Sequence, residues 1–502
     1  MIWGGLSGSE TYTMTSILSP LTCSSSIINL NINNVILSIM ILKFLDREEE
    51  LKKVEEKYES NKSEFAVIYG RMRIGKTELI KKVIEGKRAF YFLCEKNKIE
   101  VESERFLEKF NRKFDVFIEA RDMEEFFEQV CMRFKNERIT IAIDEFSYWI
   151  EREKDKISSQ FQYIVDEILP ESKVFLIVCG SLVSTMESLL SYKNPLYGRA
   201  SLRLKVLPFS FSDACKFYEK FGIDDQVKVY ACAGGVPAYL KEFNVSLTFE
   251  ENVNRTFFNK DHILFDDAER LLKDELREPY VYLSIMEQIS EGATTLSEIS
   301  SKSKVDVTNL PKYLRVLENM GLIKKTYPVI RAGKRGIYKI PDNYFHFWLK
   351  FVHRYKEEIE LGIMEFSAIE KEFNRYVGTV FEDLAKECIT KDIFNLPFQF
   401  FRIGRWWHKD KEIDLIALNE QTKQIAFFEV KWREVKKEKE AARILDALKE
   451  KSAFVNWFNN VREEHFGLIA KKIDEEVKEK LRSEGYLVFD IAGIKTHEIS
   501  RD

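Results

Sequence analysis

Cysteine is scarce in this 502-residue chain and never occurs in a paired motif. The seven cysteines are scattered, and none forms the Cys-x-x-Cys spacing that holds zinc or builds a redox site. A zinc site and a disulfide framework are therefore excluded as organising features. Several cysteines lie in apolar runs, where a reduced thiol behaves as a small core residue. A cytoplasmic location is the default expectation.

The chain also lacks a long hydrophobic run and a basic amino-terminal region. Residues 1–39 are rich in Ser, Thr, Asn and Ile and carry one charge, Glu10, whereas a secretory signal begins with a basic segment. The apolar run from Val35 to Leu42 is too short to span a bilayer. We expect no membrane partner and interpret residues 1–39 as a disordered leader or a mis-called start. The functional protein would then begin near Met40 rather than Met1, and a membrane anchor is the alternative.

Short apolar runs alternate with amphipathic helical patterns between residues 65 and 179. Four runs have the length of buried parallel strands, namely Phe65–Tyr69, Ala89–Cys94, Ile139–Ile143 and Val174–Cys179. This alternation predicts an α/β fold with a doubly wound parallel sheet and right-handed crossovers. The length of 502 residues predicts two to four domains, and the 45% hydrophobic and 32% charged residues suit packed cores with a charged surface.

A Gly-rich segment follows the first predicted strand and fits the phosphate-loop pattern G-x-x-x-x-G-K-[ST]. It consists of Gly70, Arg71, Met72, Arg73, Ile74, Gly75, Lys76 and Thr77. In such a loop the glycines let backbone N–H groups and the helix N-terminus face phosphate oxygens. Lys76 is expected to reach the β- and γ-phosphates, and the Thr77 hydroxyl to ligate Mg²⁺. The sequence therefore predicts a P-loop NTPase that binds ATP.

An acidic pair ends the third predicted strand. Because the carboxyl ends of parallel strands face the ligand crevice, Asp144 is expected to hold Mg²⁺ and Glu145 to polarise the attacking water. Ser181, after the fourth strand, is a candidate γ-phosphate sensor, although a serine at a helix N-cap has the same pattern. Arg199 is a candidate sensor or trans-acting arginine finger. Arg203 competes for that role, and a surface salt bridge is the alternative.

The remaining chain changes character three times. Helical patterns follow Phe211, and then three helices and a basic strand-like stretch have the order of a winged helix-turn-helix. A last segment mixes helices and strands. We expect residues 1–39 to be the leader, 40–210 the P-loop ATPase core, 211–278 a helical lid, 279–342 the winged helix, 343–372 a helical connector and 373–502 a small α/β nuclease-like domain.

The winged-helix segment is basic although the whole chain has a net charge of -4. Ten Lys and Arg residues lie between Ser301 and Ile340, against two acidic residues, and such a surplus suits phosphate contacts. The expected DNA-binding residues are Thr308, Asn309, Lys312, Arg315, Lys334 and Arg335. Pro311 departs from a good recognition helix, since proline is tolerated only in the first turn. A winged helix used for interdomain packing is the alternative.

Carboxylates and a lysine near the carboxyl terminus resemble the PD-(D/E)XK nuclease pattern. Glu429 and Lys431 lie two apart on a predicted strand, so both point to one face, and Asp414 on the neighbouring strand would share it. With helix-borne Glu382 these carboxylates are expected to hold Mg²⁺, and Lys431 to stabilise the attacking water. Ordinary charged strand ends, and a nuclease fold that has lost its activity, are the alternatives.

Six segments together resemble one family. They read LDREEELKKVEE, GRMRIGKTEL, AIDEF, CGSLVSTME, LYGRASLRLKVLPFS and AGGVPAYL, and they are similar to segments of the archaeal ATPase family, a branch of the AAA+-related STAND NTPases. The resemblance extends from about Phe44 to the carboxyl terminus and implies an ATPase core, a winged helix and a nuclease-like domain. It also places Gly234, Gly235 and Pro237 on the adenine side of the site.

Two functions are compatible with these features. The first is an ATP-regulated, DNA-directed endonuclease that depends on Mg²⁺. The second is a nucleotide-switched regulator that binds DNA or protein and carries an inactive nuclease-like domain. Both require ATP and Mg²⁺ at the P-loop, and both are expected to form a homo-oligomer.

Overall fold

The computed structural model of the protein describes residues 47–153, 155–330 and 336–494. The expected leader lies outside these ranges, as do Lys334 and Arg335 of the expected DNA-binding set. Within the three ranges we find no helix with the length and apolar character that crossing a bilayer requires. The domain boundaries stay predictions, because the described residues belong to a single compact unit.

A parallel five-stranded sheet forms the amino-terminal part, in the order β2-β3-β4-β1-β5. The α/β fold and the four predicted strands are confirmed to within one or two residues. The sequence did not predict β5, which is a short edge strand whose apolar residues alternate with exposed Arg203 and Lys205. The strands are β1 (Glu64–Tyr69), β2 (Ala89–Leu93), β3 (Ile139–Asp144), β4 (Val174–Gly180) and β5 (Leu202–Lys205).

Helices cover both faces of this sheet, because its central strands β3 and β4 are buried along their whole length. A cluster of phenylalanines packs edge to face between β2 and two of these helices. The helices are α1 (Glu48–Glu59), α2 (Lys76–Ile84), α3 (Ile99–Phe114), α4 (Met123–Arg133), α5 (Ser147–Glu153), α6 (Asp155–Tyr163) and α7 (Val183–Leu189).

The next segment is entirely helical. It contains the Gly234-Gly235 turn, which ends one helix, and Pro237, which begins the next one at its first position. Its helices are α8 (Phe211–Cys215), α9 (Ile223–Ala233), α10 (Pro237–Leu240), α11 (Phe249–Thr256) and α12 (Ile263–Glu275).

Three helices and a two-stranded antiparallel ribbon follow, in the order expected for a winged helix. They are α13 (Pro279–Ser290), α14 (Leu296–Ser303), α15 (Leu310–Asn319), β6 (Lys324–Thr326) and β7 (Ile337–Lys339). The sequence predicted the third helix from about Val307. It begins at Leu310 instead, which puts Pro311 in the first turn, where its missing N–H leaves no helical bond unmade. Helix α15 lies against α7 of the ATPase core.

A long helix connects this segment to the last part of the chain. After the short helices α16 (Asn343–Phe347) and α17 (Lys356–Glu360), α18 runs from Glu370 to Thr390. One end of α18 packs against α9, and the helix also packs against the second sheet. A single rigid element therefore contacts both halves of the molecule.

The second sheet has the order β12-β11-β10-β9-β8. Strands β8, β9 and β10 are antiparallel, whereas β10, β11 and β12 are parallel. The two strands predicted near Glu412 and Ile425 are confirmed as β9 and β10. The elements are β8 (Arg402–His408), β9 (Lys411–Asn419), β10 (Gln424–Val435), α19 (Glu438–Ser452), β11 (Glu463–Ile473), α20 (Glu475–Ser483) and β12 (Leu487–Asp490).

Candidate nucleotide site and carboxylate cluster

The predicted phosphate loop lies between β1 and α2 at the carboxyl end of the parallel sheet. Gly75, at the N-cap of α2, has a φ of 93°, a left-handed conformation that glycine adopts without strain. The buried Lys76 ammonium donates to the carbonyl oxygen of Arg71 at 2.9 Å, so the lysine folds over the loop. Backbone donors, a helix N-terminus and an ammonium thus surround one space, which is the geometry that holds phosphate.

Two oxygen-bearing side chains that were predicted to serve Mg²⁺ are in contact. The Thr77 hydroxyl donates to Asp144 Oδ2 at 2.7 Å, and the Tyr91 hydroxyl donates to the same oxygen at 2.8 Å. A hydroxyl and a carboxylate are the hard donors that Mg²⁺ prefers, so these residues fit that ion. Tyr91 was not singled out from the sequence, since it looked like one more aromatic residue of a buried strand. Its pKa is raised by burial and by the nearby Asp144 carboxylate.

Glu145 and Ser181 are directly joined. Glu145 has a φ of 54°, which is uncommon outside glycine, and its carboxylate accepts the Ser181 hydroxyl at 2.6 Å. Ser181 does not cap the following helix, because the N-cap position of α7 belongs to Leu182. The expected water-polarising residue and the expected γ-phosphate sensor therefore lie side by side, at the ends of β3 and β4.

The Gly-Gly-x-Pro turn lies beside the phosphate loop. The Pro237 ring comes within 3.8 Å of the position that a Cβ on Gly75 would take. The Gly235 carbonyl accepts the Phe209 N–H at 2.7 Å, and the guanidinium of Arg47 lies 4.4 Å from the centre of the Phe209 ring. Gly234 ends α9 at the same turn. The adenine-side role of Gly234, Gly235 and Pro237 stays a prediction.

Arg47 closes this side of the loop and was missed as a site residue. Its guanidinium donates to the carbonyl oxygen of Ile74 at 2.8 Å and to that of Leu207 at 3.0 Å. The only sequence signal was its place in the segment LDREEE. The contact with Ile74 ties the start of α1 to the phosphate loop itself.

Arg199 lies away from the phosphate loop within the chain. It forms an ion pair with Asp166 at 2.8 Å, and the nearby Ser201 N–H donates to the Phe65 carbonyl oxygen at the start of β1. That end of the sheet is opposite the loop, so this placement gives no support to a sensor acting in the same chain. This ion pair corresponds to the surface salt bridge that was the alternative expectation for Arg199. A trans-acting arginine finger stays a prediction.

The two arginines of the phosphate loop are held by aspartates from later in the chain. Arg71 pairs with Asp342 at 2.6 Å, and Arg73 pairs with Asp267 at 2.8 Å. Among the described residues, Arg71 Nε and Nη2 and Arg73 Nε are buried without an acceptor. These N–H groups are therefore available to an anion, and the loop is linked to α12 and to the start of α16.

The carboxyl-terminal cluster brings together three of the four predicted residues. Lys431 donates to Glu429 Oε1 at 2.8 Å and to Asp414 Oδ2 at 3.3 Å. Asp414 Oδ2 also accepts the Val430 N–H at 2.9 Å. Adjacent strands β9 and β10 thus direct two carboxylates and one ammonium into a single space.

The fourth residue, Glu382 of α18, stands apart from these three. Its partner is Arg405 at 3.4 Å. Burial raises the pKa of Glu382 to about 8; Arg405 counteracts that rise, and Asp414 adds to it. No group of three metal-binding side chains converges among the described residues, and the joint binding of one ion by Glu382, Asp414 and Glu429 stays a prediction. The Asp414–Glu429 pair, which already shares a cation, supplies oxygen donors that fit Mg²⁺.

Lys451 also belongs to this cluster and was missed from the sequence. It lies in the last turn of α19, and its ammonium is 3.1 Å from Glu429 Oε1 and 3.0 Å from Oε2. A lysine in a Lys/Glu-rich helix carries no motif, so only the packing of α19 on β10 reveals it.

The expected DNA-binding residues are exposed where they are described. Lys312 and Arg315 lie three apart on α15 and share one face. Thr308 and Asn309 precede the helix, and the Thr308 hydroxyl donates to Asp306 at 2.5 Å. The contact of all four with DNA stays a prediction.

Two family models match the chain. Residues 44–243 match an ATPase domain found predominantly in Archaea, and residues 348–444 match archaeal and bacterial proteins of unknown function. The first match supports ATP binding and hydrolysis by residues 44–243. It covers the phosphate loop, the Asp144–Glu145 pair, Ser181 and the Gly-Gly-x-Pro turn.

Relatives and solved structures extend the comparison. An uncharacterized protein of Methanocaldococcus jannaschii is 37% identical over 440 residues, which cover 86% of this chain and 97% of the relative. An uncharacterized ATP-binding protein of the same organism is 48% identical over 48 residues, 10% of this chain and 81% of that protein. The Walker-type ATPase of Pyrococcus abyssi is 21% identical, with a TM-score of 0.48, and the match covers 61% of this chain and 96% of that chain.

Proposed function

This chain belongs to an archaeal ATPase family, and from that premise we propose that it is an ATP-regulated, DNA-directed and Mg²⁺-dependent endonuclease. The observation that carries the nuclease part is the arrangement of Asp414, Glu429 and Lys431 on adjacent strands, with Lys431 between the two carboxylates. Carboxylate pairs with a neighbouring lysine suit metal-assisted phosphodiester hydrolysis, because they hold a cation beside the attacking water.

At the nucleotide site each side chain has a distinct task. Lys76 neutralises charge on the β- and γ-phosphates, and Glu145 orients the attacking water. Thr77 and Asp144 would hold Mg²⁺, which would supply positive charge to neutralise the phosphates. The Ser181 hydroxyl positions the Glu145 carboxylate through their 2.6 Å hydrogen bond. If Ser181 contacts the γ-phosphate, loss of that phosphate on hydrolysis alters the position of Glu145 through this bond.

A chain of direct contacts supports control of the cluster by ATP. Arg71 of the phosphate loop pairs with Asp342, and the adjacent Asn343 accepts the Tyr376 hydroxyl through its carbonyl oxygen at 3.1 Å. Tyr376 also donates to the Ala231 carbonyl oxygen at 2.8 Å. It lies on α18, six residues before Glu382. Phosphate that draws Arg71 away from Asp342 would therefore shift the helix that bears Glu382.

The DNA-directed part of the proposal rests on charge. The winged-helix segment carries the basic surplus of the chain, and Lys312 and Arg315 are exposed on one face of α15. Phosphate contacts from such residues bind DNA with little sequence preference and weaken as salt increases. Mg²⁺-dependent cleavage by this protein should accordingly fall with ionic strength.

The main experiment is plasmid cleavage in Mg²⁺ or Mn²⁺, with and without ATP. We expect wild-type protein to cut, Glu429→Ala to lose cutting, and Lys76→Ala to lose the response to ATP. Glu434→Ala is the matched control, since Glu434 is exposed on the same strand and pairs with Lys436. Cleavage that persists in Glu429→Ala would remove the basis of the nuclease assignment.

Tyr376→Phe tests the ATP control separately from both chemistries. The change removes only the hydroxyl that joins α18 to Ala231 and Asn343. We expect phosphate release and basal cleavage to remain within about twofold, while the effect of ATP on cleavage is reduced. An unchanged ATP effect would exclude this route between the sites.

A nucleotide-switched regulator is the second candidate, and one contact favours it. Helix α15, which would read DNA, lies against α7 of the ATPase core, so nucleotide state has a direct route to the winged helix. A regulator would shift DNA retardation between ATP and ADP and release phosphate, yet leave plasmid intact in every metal.

A further inference from the structure

Lys451 has no role in the nuclease pattern, yet it contacts the central carboxylate of the cluster. Its ammonium lies within 3.1 Å of both oxygens of Glu429, whose side chain is only 10% exposed. No other partner of this ammonium is recorded among the described residues. The Glu429 carboxylate therefore accepts hydrogen bonds from two ammonium groups, because Lys431 also donates to it.

The two carboxylates that would hold the metal are already neutralised by side chains. Asp414 and Glu429 face two ammonium groups, from Lys431 and Lys451. A divalent ion that takes the oxygens of Asp414 and Glu429 adds two positive charges, so it repels both ammonium groups and favours displacement of the one that is held less firmly.

Lys451 is the ammonium with the weaker hold. Lys431 stands on β10 and contacts both carboxylates, whereas Lys451 contacts one and comes from the last turn of α19. Its four methylene groups let the ammonium move outward from Glu429. Metal that binds Glu429 would therefore displace Lys451 and leave Lys431 nearly in place.

We propose that Lys451 is a further residue of this site, which covers Glu429 in the metal-free protein and, once displaced, binds a phosphate of the DNA substrate. This inference rests on the proposed nuclease function. A displaced ammonium remains beside the cluster, where the backbone of the substrate brings negative charge, and a charge-assisted contact with phosphate follows. Lys451 would thus weaken metal binding at Glu429 in the free protein and strengthen the binding of DNA in the complex.

An ordinary ion pair that fastens α19 to β10 makes a different prediction. Its loss would lower the thermal stability of the protein and leave metal affinity unchanged or weaker, because Glu429 would be less well positioned. The proposal instead requires that loss of the ammonium strengthens metal binding and weakens substrate binding. The sign of the change in metal affinity separates the two.

The test uses Lys451→Met and Lys451→Arg in the full chain, with Lys449→Met as the matched control. Methionine keeps the length of the side chain and its apolar stem. Lys449 lies on the same helix, but its ammonium contacts the Tyr486 hydroxyl instead. Mn²⁺ affinity is measured without nucleotide, from the signal of free Mn²⁺ in electron paramagnetic resonance, and the part lost in Glu429→Ala identifies the site.

We expect Lys451→Met to bind Mn²⁺ about tenfold more tightly, the loss of one charged contact being of that size. Its KM for DNA should rise about tenfold while kcat changes little, and Lys451→Arg should restore KM. Lys449→Met should match wild type in both measurements. Mn²⁺ affinity that is unchanged or weaker in Lys451→Met overturns the proposal.

Failure of the nuclease function can be told apart from failure of this inference. Wild-type protein that binds Mn²⁺ through Glu429 but cuts no DNA contradicts the nuclease function and the phosphate contact, while tighter Mn²⁺ binding in Lys451→Met would still support the competition. Wild-type protein that cuts, with Lys451→Met equal to Lys449→Met, contradicts the inference alone. Absence of Glu429-dependent Mn²⁺ binding in wild type overturns both.

Discussion

The nucleotide site and the carboxylate cluster gather charge in different ways. The first is held by backbone: a left-handed Gly75, a strained Glu145 and a loop closed by Arg47 on the Ile74 carbonyl oxygen. The second is held by side chains, in which each carboxylate has a lysine or arginine partner. A backbone site has its geometry before any ligand arrives, whereas a side-chain network must rearrange to admit one.

This difference predicts how each site responds to substitution. Single changes in the nucleotide site should remove an activity, because no neighbour can replace a loop atom. Single changes in the cluster should raise the affinity for one ligand and lower it for another. Loss of one charged side chain leaves its ion-pair partner free to make a new contact. The following experiments test the first half of that contrast, beginning with the largest expected effect.

Glu145→Gln should reduce ATP hydrolysis about 10²- to 10⁴-fold, the range for loss of a general base. Gln keeps the size of the side chain and can still contact Ser181, so ATP affinity should stay within about threefold. The measurements are phosphate release and binding of a fluorescent ATP analogue. Asp155→Asn, at the start of the neighbouring helix α6, is the control, and equal loss in both variants would contradict a chemical role for Glu145.

Lys76→Ala should weaken ATP binding about a hundredfold. We expect the ammonium to make charge-assisted contacts with two phosphates, worth about 3 kcal/mol together. Mn²⁺ binding at Glu429 should be unchanged, because the cluster has its own charges. Lys82→Ala on the same helix is the control, since Lys82 is exposed and pairs with Glu85. Loss of both ligands in Lys76→Ala would mean that the sites are not independent.

Gly235→Ala should destabilise the fold by about 3 kcal/mol, because an added Cβ would lie 1.9 Å from the Phe209 carbonyl oxygen. The Phe209 ring lies against Arg47, which contacts the phosphate loop at Ile74, so ATP affinity should fall as well. Gly222→Ala is the matched control, since nothing lies within 4 Å of its added Cβ and its φ is -61°. Urea unfolding of both variants provides the comparison, and similar stability would contradict the close approach.

The nucleotide site was predictable because its signals are contiguous. The phosphate loop is one motif between a strand and a helix, and Asp144-Glu145 ends a strand of only apolar residues. Residues that are adjacent in sequence stay close together in the fold, so local patterns of this kind predict the site directly. Tyr91 was not predictable, because its link to Asp144 depends on which strand lies next to β3, and sheet order is not written in any one segment.

The carboxylate cluster was predictable only in part, for the same physical reason. The two-residue spacing of Glu429 and Lys431 fixes their shared face, and that prediction is confirmed. Glu382 was expected to share their metal ion, but its ion pair is with Arg405, a residue of β8 that the motif does not include. Lys451 arrives from a helix 22 residues after Glu429, and no periodicity in a Lys/Glu-rich helix marks which lysine turns inward.

One buried carboxyl group near the nucleotide site depends on its charge state rather than on backbone geometry. Glu275 ends α12 near the phosphate loop, and its Oε2 is buried without a hydrogen-bond partner among the described residues. Burial raises the pKa of Glu275 to about 7, Arg71 and Lys76 counteract the rise, and Asp274 and Glu151 add to it. In the cluster, burial also raises the pKa of Glu382, but that carboxyl group has Arg405 as an ion-pair partner.

Glu275 should therefore make stability depend on pH. Because the folded protein holds this proton more tightly than the unfolded chain, the contribution is fully present below the ordinary pKa of about 4.5 and is lost as pH rises through about 7. Glu275→Gln, which never ionises, should match wild type below pH 4.5 and exceed its free energy of unfolding by about 3 kcal/mol at pH 8. Urea unfolding across this range measures the difference, with the exposed Glu104→Gln as control. If the free energy of unfolding has the same pH dependence in both variants, Glu275 is already charged in the folded protein. Its charge is then compensated by neighbouring cations, as the carboxylates of the cluster are.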